Sequence, residues 1–199
     1  MTHGGSPSRE RIVAGAADLI SRRGLHAASI RNLAKHAKAP LGSTYHYFPD
    51  GKAQLATEAV RYAETAIARA LAKALKDGPV DGVRAFLALW RGIVVDSEFR
   101  VGCPILAVSV EEPPDGEIPA ALSAAAAAFD GWERLLADAL CDHGVDPERA
   151  AALGALVVAS VEGATAMCRA KRSARPLDQV GEQLVVLIAE AVEAAEDRG

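Results

Sequence analysis

The sequence predicts an all-α protein of about nine helices. Alanine dominates a chain of 199 residues, aromatic residues make up only 5% of it, and half of it is hydrophobic. No stretch shows sustained Val/Ile/Thr alternation bounded by turn residues, the pattern a half-buried strand needs. A chain of this length can bury one good-sized core, or a small module fused to a larger domain. No uninterrupted apolar run reaches the roughly 18 residues that span a bilayer, and Met1 to Arg11 lacks the apolar centre of a signal peptide, so a cytoplasmic protein without membrane contact is expected. Cys103, Cys141 and Cys168 are odd in number and widely scattered. That suits neither a disulfide framework nor a zinc site; buried thiols are expected, with no metal and no cofactor.

The elements follow in order. Residues 1–8, rich in Gly, Ser and Pro, read as a disordered tail. Ser8 is placed as the N-cap of a first helix whose face carries Ile12, Ala16, Leu19 and Ile20 and which stops at Gly24. Ser29 caps a shorter second helix with Ile30, Leu33, Ala34 and Ala37 at the i, i+3, i+4, i+7 spacing. The stretch KAPLG breaks it, because Pro40 turns Ala39 away from helical dihedrals and Gly42 permits a tight turn. Ser43 then caps a very short third helix ended by Pro49. Leu41 and Phe48 are expected to turn inward, leaving Ser43, Thr44, Tyr45, His46 and Tyr47 outside.

Two short helices joined by a tight turn and preceded by a longer one have the shape of a helix-turn-helix unit, whose second short helix enters the major groove of DNA. Charge points the same way. Residues 1–52 hold eight Lys/Arg against three Asp/Glu, a net of +5, while the remainder holds 14 against 23, a net of −9. A basic head on an acidic body suits a polyanion partner for the head alone. Lys52 follows Asp50, the expected cap of a fourth helix; a cation there opposes the helix dipole unless a DNA phosphate shares that end.

The fourth helix runs from about Asp50 to Lys76 with Leu55, Ala59, Tyr62, Ile67 and Leu71 on one stripe, and stops at Gly78-Pro79. Val83, Phe86, Leu87, Trp90, Ile93 and Val94 mark a fifth. CPILAVSVEEPP suits a strand by alternation and a helix by its early proline. Gly116 to His143 reads as a long Ala-rich helix ended by Gly144, and Asp146-Pro147 as a cap with proline at the first position of the next, to Lys171. That helix interleaves Gly154, Ala155, Ala159, Ser160, Gly163 and Ala164 with larger apolar residues, which admits a close helix neighbour. The last runs from Asp178 to Glu196.

Enzyme chemistry finds little footing. There is no nucleophile-elbow pattern and no Gly-rich phosphate loop, and four of the five histidines lie in the basic head without a carboxylate cluster. Glu111 and Glu112 are adjacent and would point about 100° apart on a helix.

Residues 8–55, SRERIVAGAADLISRRGLHAASIRNLAKHAKAPLGSTYHYFPDGKAQL, resemble the N-terminal DNA-binding domain of TetR-family transcriptional regulators. The match rests on the first helix ending in Gly24, the Ser29-Ile30 start, Tyr45-x-Tyr47-Phe48, and the Lys52 to Leu55 opening of the fourth helix. Pro40 stands where a small polar residue is usual and Thr44 where a larger apolar one is common. A one-residue-longer PDGK link, with FRVGCPILAVSVE at 99–111, looks like the LmrA/YxaF-like branch.

The resemblance implies a DNA-binding domain at 9–52 and a ligand-binding and dimerisation domain at 53–199, with CPILAV as a short helix. It implies DNA contacts from Ser29, Arg31, Ser43, Thr44, Tyr45, His46, Tyr47 and Lys52. A pocket for an apolar or aromatic inducer would be walled by Tyr62, Phe86, Trp90, Phe99, Cys103, Phe129, Trp132 and Met167, with Arg91, Glu162 or Arg169 as polar anchors. The last two helices would pair with their copies, since a helix-turn-helix needs two copies to read a two-fold double-stranded operator. The expected function is a homodimeric repressor released by its ligand. A helical DNA-binding or adaptor protein without an inducer, and a redox sensor built on Cys103, stand as alternatives.

Overall fold

The computed structural model describes residues 7–26, 28–111 and 119–197, with side chains from residue 9 onward; most of the expected N-terminal tail lies outside them. Nine α-helices and no strand occur among these residues: α1 Pro7–Arg23, α2 Ile30–His36, α3 Leu41–Tyr47, α4 Gly51–Ala74, α5 Pro79–Asp96, α6 Pro104–Ser109, α7 Ala120–Cys141, α8 Pro147–Lys171 and α9 Arg175–Glu196. The short helix that the family resemblance implies at CPILAV is α6. A 3₁₀ turn over Leu75–Asp77 closes α4 before Gly78, whose φ of +99° only glycine adopts without strain.

Four helix starts differ from expectation. Helix α1 already begins at Pro7, ahead of Ser8, and α9 begins at Arg175 with Pro176 in its first turn, where proline's missing N–H costs nothing. Helix α3 begins at Leu41 instead of after Ser43. Helix α7 begins at Ala120, and the Gly116 start lies outside the described residues. Asp146 does cap α8, its carboxylate accepting from the N–H groups of Glu148 and Arg149 at 3.0 and 3.2 Å.

The chain divides into two compact units. One holds the chain up to Thr65 together with Cys103–Ala128, and the other holds Ala66–Gly102 with Phe129–Gly199. In the first, α1 packs on α2, α3 and α6. Its core contains Ile12, Leu19, Ile20, Ile30, Leu33, Phe48, Leu55, Ile105 and Val108, each buried and each stabilising by roughly 1.5–3 kcal/mol relative to exposure. Gly15 lets α1 and α2 approach so closely that a Cβ on it would stand 2.8 Å from the Cβ of Ala37.

Polar links then fix the helices of this unit. Asp18 of α1 pairs with Arg22 at 2.9 Å and with His36 of α2 at 2.6 Å. Burial opposes ionisation of Asp18, yet the hydrogen bonds and charges of Arg22 and His36 outweigh it and hold the carboxyl below its ordinary value. A depressed carboxylate stabilises the fold above the unfolded-state pKa and loses that contribution as pH falls through its own, so the contribution of Asp18 is lost in acid. Arg9 bonds Glu58 at 2.6 Å and lies 5.2 Å above the Phe48 ring.

The second unit is built from the C-terminal part of α4 with its 3₁₀ turn, α5, the C-terminal part of α7, α8 and α9, with α9 packed on both α8 and α5. Its close approaches are made by glycines: a Cβ on Gly154 would lie 2.7 Å from the Glu133 carbonyl, and one on Gly181 would lie 3.2 Å from Leu87. Helix α8 is long and apolar enough to cross a membrane by composition, but half of that stretch is buried within the protein, as in a core helix.

Candidate functional site

The turn between α2 and α3 is made without the glycine the sequence suggested. Helix α2 ends at His36 with Ala37 as its C-cap, and Lys38 takes a left-handed φ of +51° while the Ala39 N–H donates back to the Ala34 carbonyl at 2.9 Å. Pro40 then stands in extended conformation as the residue before α3, and its carbonyl accepts the Thr44 N–H at 3.1 Å. Gly42 lies inside α3 with open space where a Cβ would be, so it supplies no turn.

This earlier start rotates α3 relative to expectation. Residues 44 and 48, four apart, share one helix row, and both are buried completely. Thr44 is therefore corrected: with its hydroxyl donating to the Pro40 carbonyl at 3.1 Å and no exposed surface, it cannot reach a base. Leu41, expected inside, is 36% exposed, and Tyr45, four residues on, is 56% exposed. The outward row begins with Leu41 and Tyr45, with His46 also exposed and Ser43 and Tyr47 half-buried. The rings of His46 and Tyr47 lie 5.6 Å apart.

The other expected contacts flank it. Arg31 and Lys35 are exposed on α2 and Lys38 is exposed in the turn that follows it; Lys35 and Lys38 are not among the contacts the resemblance implies. Ser29 is exposed, and its Oγ accepts the Asn32 N–H at 3.2 Å, so the hydroxyl caps α2. Lys52 is half-buried in the first turn of α4. Helix α3 thus presents polar and aromatic tips beside a row of cations, the arrangement that phosphates and groove edges require. Thr44→Val should leave base preference unchanged in a selection from random duplexes while lowering thermal stability by about 0.5–1.5 kcal/mol, the worth of one hydrogen bond. His46→Ala should do the reverse. An altered base preference in the Thr44 variant would put that residue back on the DNA face.

In the second unit, four of the eight expected ligand residues come together. Phe86 and Trp90 of α5 meet edge to face at 6.4 Å, Phe86 meets Trp132 of α7 at 6.4 Å, and Phe129 meets Trp132 at 5.8 Å. Phe86, Trp90 and Trp132 are buried, yet the indole N–H groups of both tryptophans and the hydroxyl of buried Thr165 on α8 find no hydrogen-bond partner among the described residues. Buried donors of this kind cost about 1–3 kcal/mol each.

The other four are placed differently, each within its own unit. Met167 lies 46% exposed on the outer face of α8, and Tyr62 of α4 is 42% exposed, because each falls on the solvent row of its helix. Phe99 sits half-buried with a φ of +61° in the turn that ends α5, where its N–H reaches back to Val94 at 2.8 Å. Cys103 is buried in the first unit. Of the suggested anchors, Arg91 is exposed and bonded to Asp178 at 2.8 Å, Arg169 passes beside Gly102, and only Glu162 is buried. Burial pushes the Cys168 thiol up, away from thiolate reactivity.

The outer face of α8 carries Ala152, Leu156, Ala159, Gly163 and Met167 at three- and four-residue spacing, all exposed and uncharged. Beside it, Leu156, Ser160, Gln179, Val180, Gln183, Leu184 and Leu187 line an open groove of about 340 Å³ between α8 and α9. The small residues of α8 therefore divide: Gly154 presses on α7, whereas Gly163 faces open space.

Comparison with known proteins agrees with the helix-turn-helix geometry. Residues 12–59 match the model of the tetR family of bacterial regulatory proteins, and residues 79–183 match that of the transcriptional regulator LmrA/YxaF-like C-terminal domain, more than half of the chain. The chain belongs to the TetR family.

It is 41% identical over 179 residues to an uncharacterized HTH-type transcriptional regulator of Mycobacterium tuberculosis, covering 88% of this chain and 91% of that protein. With the HTH-type regulator YxaF of Bacillus subtilis it shares 30% identity over 183 residues, 91% of this chain and 95% of YxaF. A TetR transcriptional regulator from Legionella pneumophila has the same fold at a TM-score of 0.80 and 21% identity, covering 91% of this chain and 97% of that one. As a TetR-family member of the LmrA/YxaF-like branch, the chain is a DNA-binding transcriptional regulator and not an enzyme.

Proposed function

We propose that this TetR-family chain is a homodimeric repressor, acting in the cytoplasm, that leaves its operator when an aromatic molecule bearing hydrogen-bond acceptors enters its C-terminal body. The observation that carries the ligand class is the pair of buried indole N–H groups left without partners in a cluster of aromatic rings; the hydroxyl of buried Thr165 on α8 is a further donor without a partner among the described residues. Rings select an apolar, planar guest, and orphaned donors reward one whose edge carries oxygen. The uncharged outer stripe of α8 and the groove beside α9 support pairing with a second copy through the last two helices. Two copies then set two α3 helices into successive major grooves about one turn apart, with Arg31, Ser43, Tyr45, His46, Tyr47 and Lys52 toward the duplex. The ligand acts only to the extent that it binds the arrangement that does not fit DNA more tightly than the one that does.

The chain has two tryptophans, and both are in this cluster, so its emission reports on the site alone. Fluorenone and fluorene have the same rings and differ by one carbonyl. Fluorenone should quench tryptophan emission, bind about tenfold more tightly than fluorene, the worth of one to two hydrogen bonds, and release the protein from DNA footprinted upstream of its own gene. Equal affinity for the two removes the acceptor requirement; binding of neither removes the pocket; the absence of any footprint removes the repressor.

A further inference from the structure

Glu111, two residues beyond the end of α6, is bound to the loop between α1 and α2. Its Oε1 accepts the backbone N–H of Leu25 at 2.5 Å and that of His26 at 3.1 Å, while Oε2 lies 3.3 Å from His26 Nδ1. The side chain is only 22% exposed. Gly24 makes this possible: with a φ of +76° it ends α1 and turns the next two N–H groups toward one point, and a Cβ on it would stand 2.7 Å from Oε1. Successive N–H groups beside a left-handed residue form a concavity for an anion, and here the protein's own carboxylate fills it.

The placement of that carboxylate in the chain gives it a role. The loop it holds joins α1 to α2, α2 packs on α1 and α3, and α6 packs on α1, so a shift of Leu25 and His26 bears directly on the start of α2 and on the helices packed with it. Leu25 and His26 lie within the stretch matched to the tetR DNA-binding model, whereas Glu111 lies within the stretch matched to the LmrA/YxaF-like C-terminal domain. We propose that Glu111 is a positioning residue for operator binding: a carboxylate from the C-terminal-domain sequence clasps the α1–α2 loop and sets the recognition helix. It touches no base.

The test compares full-length variants on a duplex footprinted upstream of the gene and on a scrambled duplex of equal length. Glu111→Ala should weaken operator binding about tenfold while changing binding to the scrambled duplex by less than about twofold, because non-specific affinity rests on phosphate charge and not on helix angle. Glu111→Gln keeps an acceptor oxygen and should recover binding to within about threefold of the parent; hydrogen exchange at the Leu25 and His26 amides should speed up in the alanine variant and much less in the glutamine one. Gly24→Ala should weaken operator binding by dislodging the same carboxylate, and combined with Glu111→Ala it should lose less than the product of the two single effects. The proposal is overturned if Glu111→Ala binds the operator as the parent does, if both duplexes lose affinity by the same factor, or if the two single effects multiply.

Discussion

Leu156→Glu is expected to yield a folded monomer that no longer occupies its operator. Leu156 is 44% exposed on the single chain, at the lip of the groove between α8 and α9, so its replacement leaves the core untouched and should move the chain's own stability by no more than about 0.5 kcal/mol. In a pair of chains related by a two-fold axis the substitution enters the interface twice. Each unpaired carboxylate taken out of water there costs about 3–5 kcal/mol, and the two together exceed what separates a nanomolar dimer from a micromolar one. One helix-turn-helix then meets one half-site, and the advantage of two linked contacts disappears. Sedimentation velocity at micromolar protein, with a footprint on the same samples, decides it. A dimer that survives the substitution and still protects DNA would move the interface away from the α8 stripe.

Phe48→Ala should have the largest effect on the DNA-binding head itself. The ring is buried completely under α3, its N–H closes α3 on the Thr44 carbonyl at 3.0 Å, and its carbonyl accepts the Gly51 N–H at 3.0 Å as the chain turns into α4. Arg9 lies over its face and reaches on to Glu58, which Gln54 also bonds. Emptying this site costs roughly 3–5 kcal/mol, a large share of the 5–15 kcal/mol that holds a domain of this size. Helix α3 has only seven residues and is far too short to persist without tertiary support. Operator binding should therefore be lost before the body unfolds, with α3 amides exchanging at near-unprotected rates while those of α8 and α9 stay slow. A variant that keeps protected α3 amides and a normal footprint would show that Phe48 does not anchor the helix.

Much of this was legible in the sequence where helices announce themselves at their ends. Asp146-Pro147, Gly24, Gly78-Pro79 and Gly144 each mark a boundary through a conformation or capping bond that few residues supply, and the structure puts a helix end at each. The helix-turn-helix was legible for the same reason, together with its short spacings. Its register was not, because Pro40 reads equally well as a breaker and as the residue before a helix. Choosing the first placed Thr44 outside and Leu41 inside.

The body was harder to read. On an Ala-rich helix such as α8, small and apolar residues occupy nearly every position, so periodicity cannot say which face meets the core; Met167, a pocket residue by the resemblance, lies on the outside. The clasp of Glu111 on Leu25 spans 86 positions. Nothing local distinguishes that carboxylate from the other acidic side chains.

The first compact unit is discontinuous, and this bears on how the protein comes off the ribosome. Helices α1 to α3 are synthesised well before α6, yet α6 is part of the surface on which α1 packs. At about 5–20 residues per second, the stretch from Thr65 to Glu111 adds a delay of roughly 2–9 seconds before the α1–α2 loop can meet its carboxylate. During that interval the nascent head lacks one wall of its packing, although the helix-turn-helix itself is made first.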